Sequence, residues 1–440
     1  MTTGDVPKER IPLDRVSQLP HRSVYRLVYG VALVWAILTP ASARAEENAA
    51  PAPPPPASVD AGDLWRHVRH IMPSEASEDP TAPGFEAHKP FFVVAPSIGS
   101  KPSTGVNGGV AGNIAFIDGD PKTTHISSMS GGVKVSQLGQ TLSGIKVAVF
   151  TPNDAWFIQG DNRLSWTSQN TYGLGGDTTA ADAENLKYDQ LRIYETAYRA
   201  IAPGLFVGAG INVNRHTNVR PASGDLSTFD QAAYVAYSQA HGFNIDQQTS
   251  SGTSVSLLFD TRDNAINARR GWLANATYRT FFTGFLGGNS TWQEASVDLR
   301  TYRALTKDGR HELAFWFLGD FVTGGTPPYL DLPATAGDSY GRSARGYGEG
   351  RYRGDQLLYG EVEYRQTITR NGLFGFVTFL NTTTIDSDAP ADHLFDTLAP
   401  GAGLGLRFLL NKKSRTNLCV DYGWGKQGSH GLYLAIQEAF

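Results

Sequence analysis

The sequence predicts an all-β protein: a transmembrane antiparallel β-barrel of about sixteen strands with a long inward-folded loop between strands 11 and 12. Segments of alternating apolar and polar residues recur over 91–440, and each has roughly the 9–11 residues that a tilted strand needs to cross a bilayer. The connections between these segments alternate between short turns and long loops. Glycine (48), tyrosine (18) and phenylalanine (22) are abundant, whereas only 18% of the residues are charged. This composition is typical of a barrel whose hydrophobicity is hidden in alternation.

Residues 1–45 are predicted to be a signal peptide. Basic residues precede the apolar run 27–38, and small residues in 41–45 offer two overlapping A-x-A cleavage sites. The apolar run is too short for a transmembrane anchor. The chain is therefore expected to be exported.

Residues 46–89 are predicted to be a proline-rich periplasmic spacer that contains one short helix. The run 49–57 consists mainly of proline and alanine, so it should be extended and semi-rigid. Apolar residues at helical spacing in 60–72, followed by Pro73, predict an amphipathic helix. This helix could lie on the bilayer, bind a periplasmic partner or plug the pore. A loosely ordered tail is an equal alternative.

Residues 90–440 are expected to form the barrel, with both of its ends in the periplasm, since an even number of strands returns the chain to its starting side. The predicted strands are 91–98, 106–117, 124–136, 140–151, 155–167, 187–201, 204–217, 249–260, 271–283, 291–304, 309–320, 355–370, 373–383, 400–411, 414–424 and 430–440.

Taken alternately along the chain, the connections fall into one set of mostly short turns and one set that contains every very long loop. Short connections at 119–122, 152–154, 203–204, 307–309, 370–372 and 412–414 alternate with a set that contains the long loops 168–186, 218–248, 321–354 and 384–399. Short turns on one rim and long loops on the other are typical of bacterial outer-membrane barrels, and a soluble sandwich has no reason to sort its loops in this way. The longer connection 260–271 is an exception on the short-turn side.

Alternation predicts which side chains line the lumen. In the segments 400–411 and 414–424, leucine and aromatic residues occupy one face, and Arg407, Cys419 and Asp421 occupy the other. In a membrane barrel the polar face points inward. Tryptophans at segment ends fit aromatic girdles at the two membrane interfaces: Trp156, Trp166, Trp272, Trp292 and Trp424.

A basic, glycine-rich stretch at 340–354 can be neither a helix nor a regular strand. The segment that follows alternates, with Leu358 and Val362 on one face and Glu361 and Glu363 on the other. A long basic loop therefore precedes a strand whose carboxylates would face the lumen of a barrel.

A second charged cluster lies in the long turn and consists of Asp260, Arg262 and Asp263. These residue types could serve acid–base chemistry. In a turn, however, they are expected to pair with Arg269 and Arg270 and to fix a long periplasmic connection.

Several of these landmarks resemble the BamA/TamA-like family of outer-membrane assembly factors, also called bacterial surface antigens. Ser343-Ala-Arg-Gly-Tyr347 resembles the family's Val-Arg-Gly-Phe/Tyr loop motif between the eleventh and twelfth strands, and Gly360-Glu-Val-Glu-Tyr-Arg365 resembles the strand that follows. Phe259-Asp-Thr-Arg-Asp263 with Arg269-Arg-Gly-Trp272 resembles the family's turn signature. Phe440 is similar to the terminal aromatic that barrel-assembly machinery reads. The resemblance covers residues 90–440.

The resemblance implies a bacterial outer-membrane location. It also implies contact with outer-membrane lipids, including lipopolysaccharide, and with the barrel-assembly machinery during biogenesis. We expect the loop 321–354 to fold inward, because its arginines are attracted to luminal carboxylates. Its lock is predicted to consist of Arg345, Gly346 and Tyr347 with Glu363 and Asn381: Arg345 pairs with Glu363 and hydrogen-bonds Asn381, and Gly346 permits the close approach.

The sequence departs from the family pattern in two ways. The family's thirteenth strand carries Phe-x-Asp-x-Gly, whereas this chain has Asn381 in place of the aspartate and Thr383 in place of the glycine. The second carboxylate partner of the loop arginine is therefore missing or replaced. Insertases of the family also carry periplasmic POTRA domains, and residues 46–89 are too few for one, so a short member without them is expected.

The sequence contains no catalytic constellation. A G-x-S-x-G nucleophile motif is absent, and His67 and His70 have no cluster of acidic or cysteine ligands beside them. The single Cys419 excludes an internal disulfide framework. We therefore expect no enzyme activity, no metal and no cofactor, and the net charge of −4 does not indicate nucleic-acid binding.

Three functions stay open at this point. The first is membrane organisation or client insertion through a labile seam between the first and last strands, which the loop motif favours by resemblance. The second is a passive or gated pore for small solutes, constricted by the loop 321–354. The third is a structural or surface-exposed role.

Overall fold

The computed structural model describes residues 90–440 except 121–122, 225–228, 389–390 and 413–414. The predicted signal peptide (1–45) and nearly all of the proline-rich spacer, including the helix at 60–72, lie outside the described residues. The strands are β1 (Phe91–Lys101), β2 (Gly105–Phe116), β3 (Ser127–Ser136), β4 (Thr141–Phe150), β5 (Trp156–Thr171), β6 (Glu184–Ala202), β7 (Leu205–Pro221), β8 (Gln248–Asp260), β9 (Gly271–Phe281), β10 (Trp292–Ala304), β11 (His311–Gly325), β12 (Gln356–Thr367), β13 (Phe374–Asp388), β14 (Ala391–Asp392), β15 (Ala399–Asn411), β16 (Thr416–Gly425) and β17 (His430–Ile436).

These strands form one closed antiparallel barrel. Each long strand pairs with its neighbour in the chain, β13 pairs with β15, and β1 closes the sheet by pairing with β17. The two-residue β14 only extends the top of β13. The described residues therefore build a wall of sixteen strands, which confirms the predicted fold class.

In the described part of the chain, helical structure is confined to the connections between strands. One helix, α1 (Ala233–Ala240), lies between β7 and β8. Short 3-10 turns occur at Pro152–Asp154, Ala180–Asp182, Phe229–Gln231, Phe285–Gly287, Tyr329–Asp331 and Lys426–Gly428. Among the described residues, no helix combines the length and the apolar character that crossing a membrane requires.

The wall is much taller on one side than on the other. The strands β5, β6 and β7 contain 16, 19 and 17 residues, and they extend beyond the predicted loop boundaries. The last two strands, β16 and β17, contain only 10 and 7 residues. The seam between β1 and β17 therefore lies on the low side of the barrel.

The outer surface carries the apolar faces of the strands. Leu404 and Leu406 are exposed, whereas Arg407 and Asp421 on the opposite faces are buried inside. Trp292, one of the predicted girdle residues, instead points inward, where it stacks on Phe281 and donates to Ser250. Trp292 does lie at the end of a strand, as predicted, but the register of β10 points its ring into the lumen instead of towards the membrane.

The last strand ends four residues earlier than the predicted segment 430–440. It stops at Ile436, and Gln437 adopts a left-handed conformation with φ of 79°. This turn directs residues 437–440 into the lumen instead of along the wall. The side chain of Arg342 binds the carbonyls of Ile436 and Glu438 there.

Candidate functional site

The long loop between β11 and β12, residues 326–355, fills much of the lumen and is called the lid. Its central part contacts the inner faces of strands on both sides of the barrel. Arg345 on one flank is only 1% exposed. On the opposite flank the main-chain oxygen of Ser339 accepts hydrogen bonds from Lys146 (2.8 Å) and Arg163 (2.6 Å). The lid therefore crosses the lumen from β12 to β4 and β5.

The centre of the lid is held by an arginine that contacts three carboxylates. Nη1 of Arg345 donates to Oδ2 of Asp421 over 2.6 Å, and Nη2 donates to both Glu361 and Glu363. The guanidinium carbon also lies 3.7 Å from the ring centre of Phe379, a cation–π contact. A planar guanidinium suits this site because it directs several donors to separate acceptors at once.

The negative charge around Arg345 is balanced by two further arginines on the wall. Nε of Arg365 donates to Glu363 over 2.6 Å. Arg407 pairs with Asp421, and its Nε donates to Glu438 over 2.7 Å. All of these side chains are buried. The lock is thus a network of alternating charges, in which removing one member leaves its neighbours without compensation.

The lid can approach the wall this closely because of two glycines. Gly346 has φ of 110°, and a Cβ there would lie 2.8 Å from the carbonyl oxygen of Trp424. On the wall, a Cβ at Gly423 would lie 2.7 Å from the amide nitrogen of Gly346. The hydroxyl of Tyr347 donates to the carbonyl of Pro400 over 2.5 Å and accepts from the amide of Lys426 over 2.7 Å. These contacts fix the depth of the lid in the barrel.

The structure brings together the residues that sequence reasoning assigned to this lock, with two differences. Arg345 reaches Glu363, but the amide of Asn381 donates to the main-chain oxygen of Arg345 (3.0 Å) and to Glu361 (3.3 Å) rather than meeting the guanidinium. Sequence reasoning also missed Glu361 and Asp421 as partners. Both alternate onto the luminal face of their strands, so the signal was present, but depth in the barrel decides which luminal carboxylates meet the lid.

The lid also contacts both strands of the seam from inside. Glu349 accepts from Lys101 at the end of β1 over 3.0 Å. Towards β17, the hydroxyl of Tyr433 accepts from the amide of Gly346 over 2.9 Å, and Ser429 donates to the carbonyl of Gly346 over 2.7 Å. The lid therefore bridges two strands that pair with each other only weakly.

Phe440, the predicted assembly signal, lies in the lumen and is 6% exposed. Its ring centre is 5.2 Å from that of Trp316 and 6.2 Å from that of Tyr302. The guanidinium of Arg365 lies 5.2 Å from the same ring and donates to the carbonyl of Phe440 over 3.0 Å. In the folded barrel this side chain is therefore enclosed, so any reading of it by another protein must precede this arrangement.

The predicted periplasmic turn forms different bonds from those expected. Arg262 pairs with Asp260 (2.7 Å). Asp263 accepts from the main-chain amides of Arg269 (2.8 Å) and Arg270 (3.2 Å), not from their side chains. The side chain of Arg269 instead pairs with Glu312 (3.0 Å). Asp263 thus stabilises its own turn through main-chain hydrogen bonds, and the guanidinium of Arg269 binds Glu312 instead of Asp263.

The guanidinium that Asp263 binds comes from another turn. Nη1 of Arg415, between β15 and β16, donates to Oδ2 of Asp263 over 2.7 Å. Partial burial opposes ionisation, but the bonds from Arg415 and from the two amides lower the pKa of Asp263 below its ordinary value. This carboxylate therefore joins two turns on the same rim of the barrel that are distant in sequence.

Within the described part of the chain, no group of three or more histidine, cysteine, aspartate or glutamate residues could hold a metal ion. Cys419 is buried, and its sulfur lies 3.2 Å from the carbonyl oxygen of Gln437.

Comparison with known proteins places this architecture among outer-membrane barrels. Residues 132–433 match the profile of the Omp85 superfamily domain. The structure is similar to that of BamA from Haemophilus ducreyi lacking POTRA domains 1–3, with 11% identity, 79% of this chain and 70% of that chain covered, and a TM-score of 0.52. It is also similar to CdiB from Acinetobacter baumannii, with 12% identity, 79% and 59% coverage, and a TM-score of 0.50. At these identities the likeness concerns the fold alone. No curated protein sequence matches the chain significantly.

Proposed function

Because the chain belongs to the Omp85 superfamily and is a bacterial outer-membrane barrel, we propose that it acts on membrane organisation or on the insertion of protein or lipid through the seam between β1 and β17. The proposal assigns no catalytic step to any residue. In this role, protein or lipid inserts at the seam, and the lid controls how readily the seam opens.

The observation that carries the proposal is the brevity of the seam. The register of β1 with β2 runs from Phe91 to Lys101, whereas its register with β17 is confined to Ser100 and Leu434. Most of the other edge of β1 therefore lacks a ladder partner in β17. Unpaired strand edges are templates for the addition of another strand.

The low wall beside the seam supports the same role. A strand rises about 3.3 Å per residue, so the seven residues of β17 extend roughly 23 Å, and less across a bilayer when the strand is tilted. The hydrocarbon core of a typical bilayer is about 30 Å thick. A wall this short is expected to thin the adjacent bilayer, which lowers the barrier to insertion there.

A passive pore is less well supported. The lid crosses the lumen, and its arginine is held in a buried charge network instead of being solvated. A gated pore would require the lock to break. This alternative is tested together with the main proposal.

The test is to close the seam covalently. A Ser100→Cys/Leu434→Cys pair in a Cys419→Ala background is reconstituted in liposomes, and the folding rate of an added unfolded barrel protein is measured before and after oxidation. The matched control is Leu406→Cys/Val420→Cys, a registered pair between β15 and β16. We expect the acceleration to fall in proportion to the fraction of seam cysteines oxidised, and to be unchanged in the control.

Two results would count against seam-dependent insertion. One is equal acceleration with the seam oxidised and reduced. The other is a steady ionic conductance in planar bilayers that the seam disulfide does not change, which would favour the pore.

A further inference from the structure

A carboxylate faces the membrane on the tall side of the barrel, on the opposite face of the wall from the lid. Along β6, Arg192 and Tyr194 point into the lumen, where Arg192 donates to Asn214. Glu195 must then point outward, because successive residues of a strand alternate between its faces. On β5, Asp161 and Arg163 line the lumen near the lid, so Asn162 also points outward.

Glu195 and Asn162 form a polar pair on this outer face. Nδ2 of Asn162 donates to Oε1 of Glu195 over 2.6 Å. Gly160, the register partner of Glu195, leaves space for the carboxylate, since a Cβ there would lie 2.5 Å from Oε1. Among the described residues, Oε2 of Glu195 has no hydrogen-bond donor. The pair therefore retains an unused acceptor, and the amide of Asn162 retains a second N–H.

The pair lies near the middle of the membrane. Trp156 and Trp166, both exposed on the outer face of β5, mark the two interfaces. Gly160, opposite Glu195, is roughly 13 Å along the strand from Trp156 and roughly 20 Å from Trp166. The exposed side chains around the pair are apolar: Ile158, Leu164, Leu191, Ile193, Val207 and Ile211.

A carboxylate directed into hydrocarbon is costly, and such residues in membrane proteins generally have a partner or a function. Nothing in the lumen uses Glu195, because it lies on the other side of the wall. The remaining acceptor and donor of the pair have no partner among the described residues, so another molecule within the membrane can satisfy them.

We propose that this face of β5 and β6 docks a second copy of the chain in the membrane. A two-fold axis along the membrane normal, passing between the two strands, sets Asn162 of each copy opposite Glu195 of the other at the same depth. Such an interface is isologous, so the donor and acceptor left over on one copy are both used by the other. The tall wall of β5 to β7 offers apolar area around the polar pair.

The test uses single cysteines that can cross-link only to another copy. In a Cys419→Ala background, Ile193→Cys lies beside the proposed axis, as the register partner of Asn162. Leu406→Cys, on the outer face of β15 and more exposed than Ile193, is the control. Oxidation of outer membranes that contain the full chain should give a disulfide dimer with Ile193→Cys and not with Leu406→Cys.

The chemistry of the pair is tested in the same background. Glu195→Leu and Asn162→Leu should each lower the yield of the dimer roughly tenfold. By symmetry each substitution removes two hydrogen bonds between membrane-embedded segments, and each bond is worth about threefold or more. Glu195→Gln keeps one carbonyl acceptor and adds an N–H donor that the Oδ1 of Asn162 in the other copy can accept, so it should retain more of the dimer than Glu195→Leu. Heat-modifiable mobility on gels identifies the folded fraction, to which the yield is normalised.

Three outcomes would overturn the proposal. They are equal dimer yields with Ile193→Cys and Leu406→Cys, an unchanged yield after Glu195→Leu in folded protein, and a cross-linked product whose mass shows a different protein. None of them bears on the seam, so insertion and dimerisation can fail separately.

Discussion

Arg345 of the lid and Asp421 of β16 lie 2.6 Å apart, from Nη1 to Oδ2, although 76 residues separate them in the chain. Asp421 therefore supplies a carboxylate to Arg345, whereas Asn381 on β13 supplies none. Asn381 uses its amide instead to hold the main chain of the lid.

The first prediction concerns the central cation of the lock. Arg345→Ala should destabilise the folded barrel by about 3–5 kcal/mol, because Glu361, Glu363 and Asp421 would stay buried together without it. The midpoint of urea unfolding in detergent, read by heat-modifiable mobility, measures the loss. Arg220→Ala removes an exposed arginine and should cost less than about 1 kcal/mol.

A double-mutant cycle shows whether the contact between Arg345 and Glu363 itself is responsible for the loss of stability. Arg345→Ala and Glu363→Gln should be non-additive by about 0.5–3 kcal/mol, since the second change removes a charge that the first left uncompensated. Strictly additive effects would mean that the two side chains do not interact.

The second prediction places a carboxylate at position 381 on β13. Asn381→Asp should destabilise the barrel by roughly 1–3 kcal/mol, because it removes two donated hydrogen bonds and sets a carboxylate against Glu361 and the carbonyl of Arg345. Adding Asp421→Asn should recover part of the loss by returning the number of carboxylates to its original value. A double variant no more stable than Asn381→Asp alone would show that the two positions are not interchangeable.

Alternation and the loop motif were enough to predict the barrel, the lid and the approach of Arg345 to Glu363. They could not predict Asp421, because strand spacing defines the face of a residue but not its depth relative to the lid. They also missed the inward tail, since Gln437 carries no sequence signal for a left-handed turn. The heights of β5 to β7 were underestimated because their upper ends are polar and resemble loops.

The third prediction separates two roles of Phe440. Phe440→Ala should destabilise the refolded protein by about 3–5 kcal/mol, as expected for removing a buried aromatic from contact with Tyr302 and Trp316. Refolding into detergent without any assembly machinery isolates this effect. Phe395→Ala, which truncates a 67% exposed ring, is the control. Normal stability in vitro with reduced assembly in cells would mean that Phe440 acts only as a signal.

The fourth prediction is a pH dependence that arises from the turns joined by Asp263 and Arg415. The pKa of Asp263 is lowered by folding, so its contribution to stability is fully present above its unfolded pKa of about 3.9 and is lost as the pH falls through the lower folded value. The stability difference between wild type and Asp263→Asn should therefore be constant near neutral pH and shrink below about pH 4. It should be below about 1 kcal/mol, since the site is partly solvated.

Unfolding midpoints at a series of pH values measure this difference. Arg415→Gln removes the cation that Asp263 binds and should reduce the dependence. A difference that grows on acidification would have the wrong sign and would exclude a lowered pKa at Asp263.

The last prediction concerns the lid as a bridge across the seam. Under mild oxidation, Ser100→Cys/Leu434→Cys should form its disulfide less completely than Leu406→Cys/Val420→Cys, because register neighbours support only the second pair. Adding Glu349→Gln removes the ion pair to Lys101 and should lower the yield of the seam disulfide further. The control pair should be unchanged, because the lid then still binds β17 through Tyr433 but no longer pairs with β1. The fraction oxidised at a fixed time, measured on non-reducing gels, gives the comparison. Complete oxidation of both pairs would show that β1 and β17 pair as stably as the other strands. A seam yield that Glu349→Gln does not change would show that the lid does not stabilise the seam.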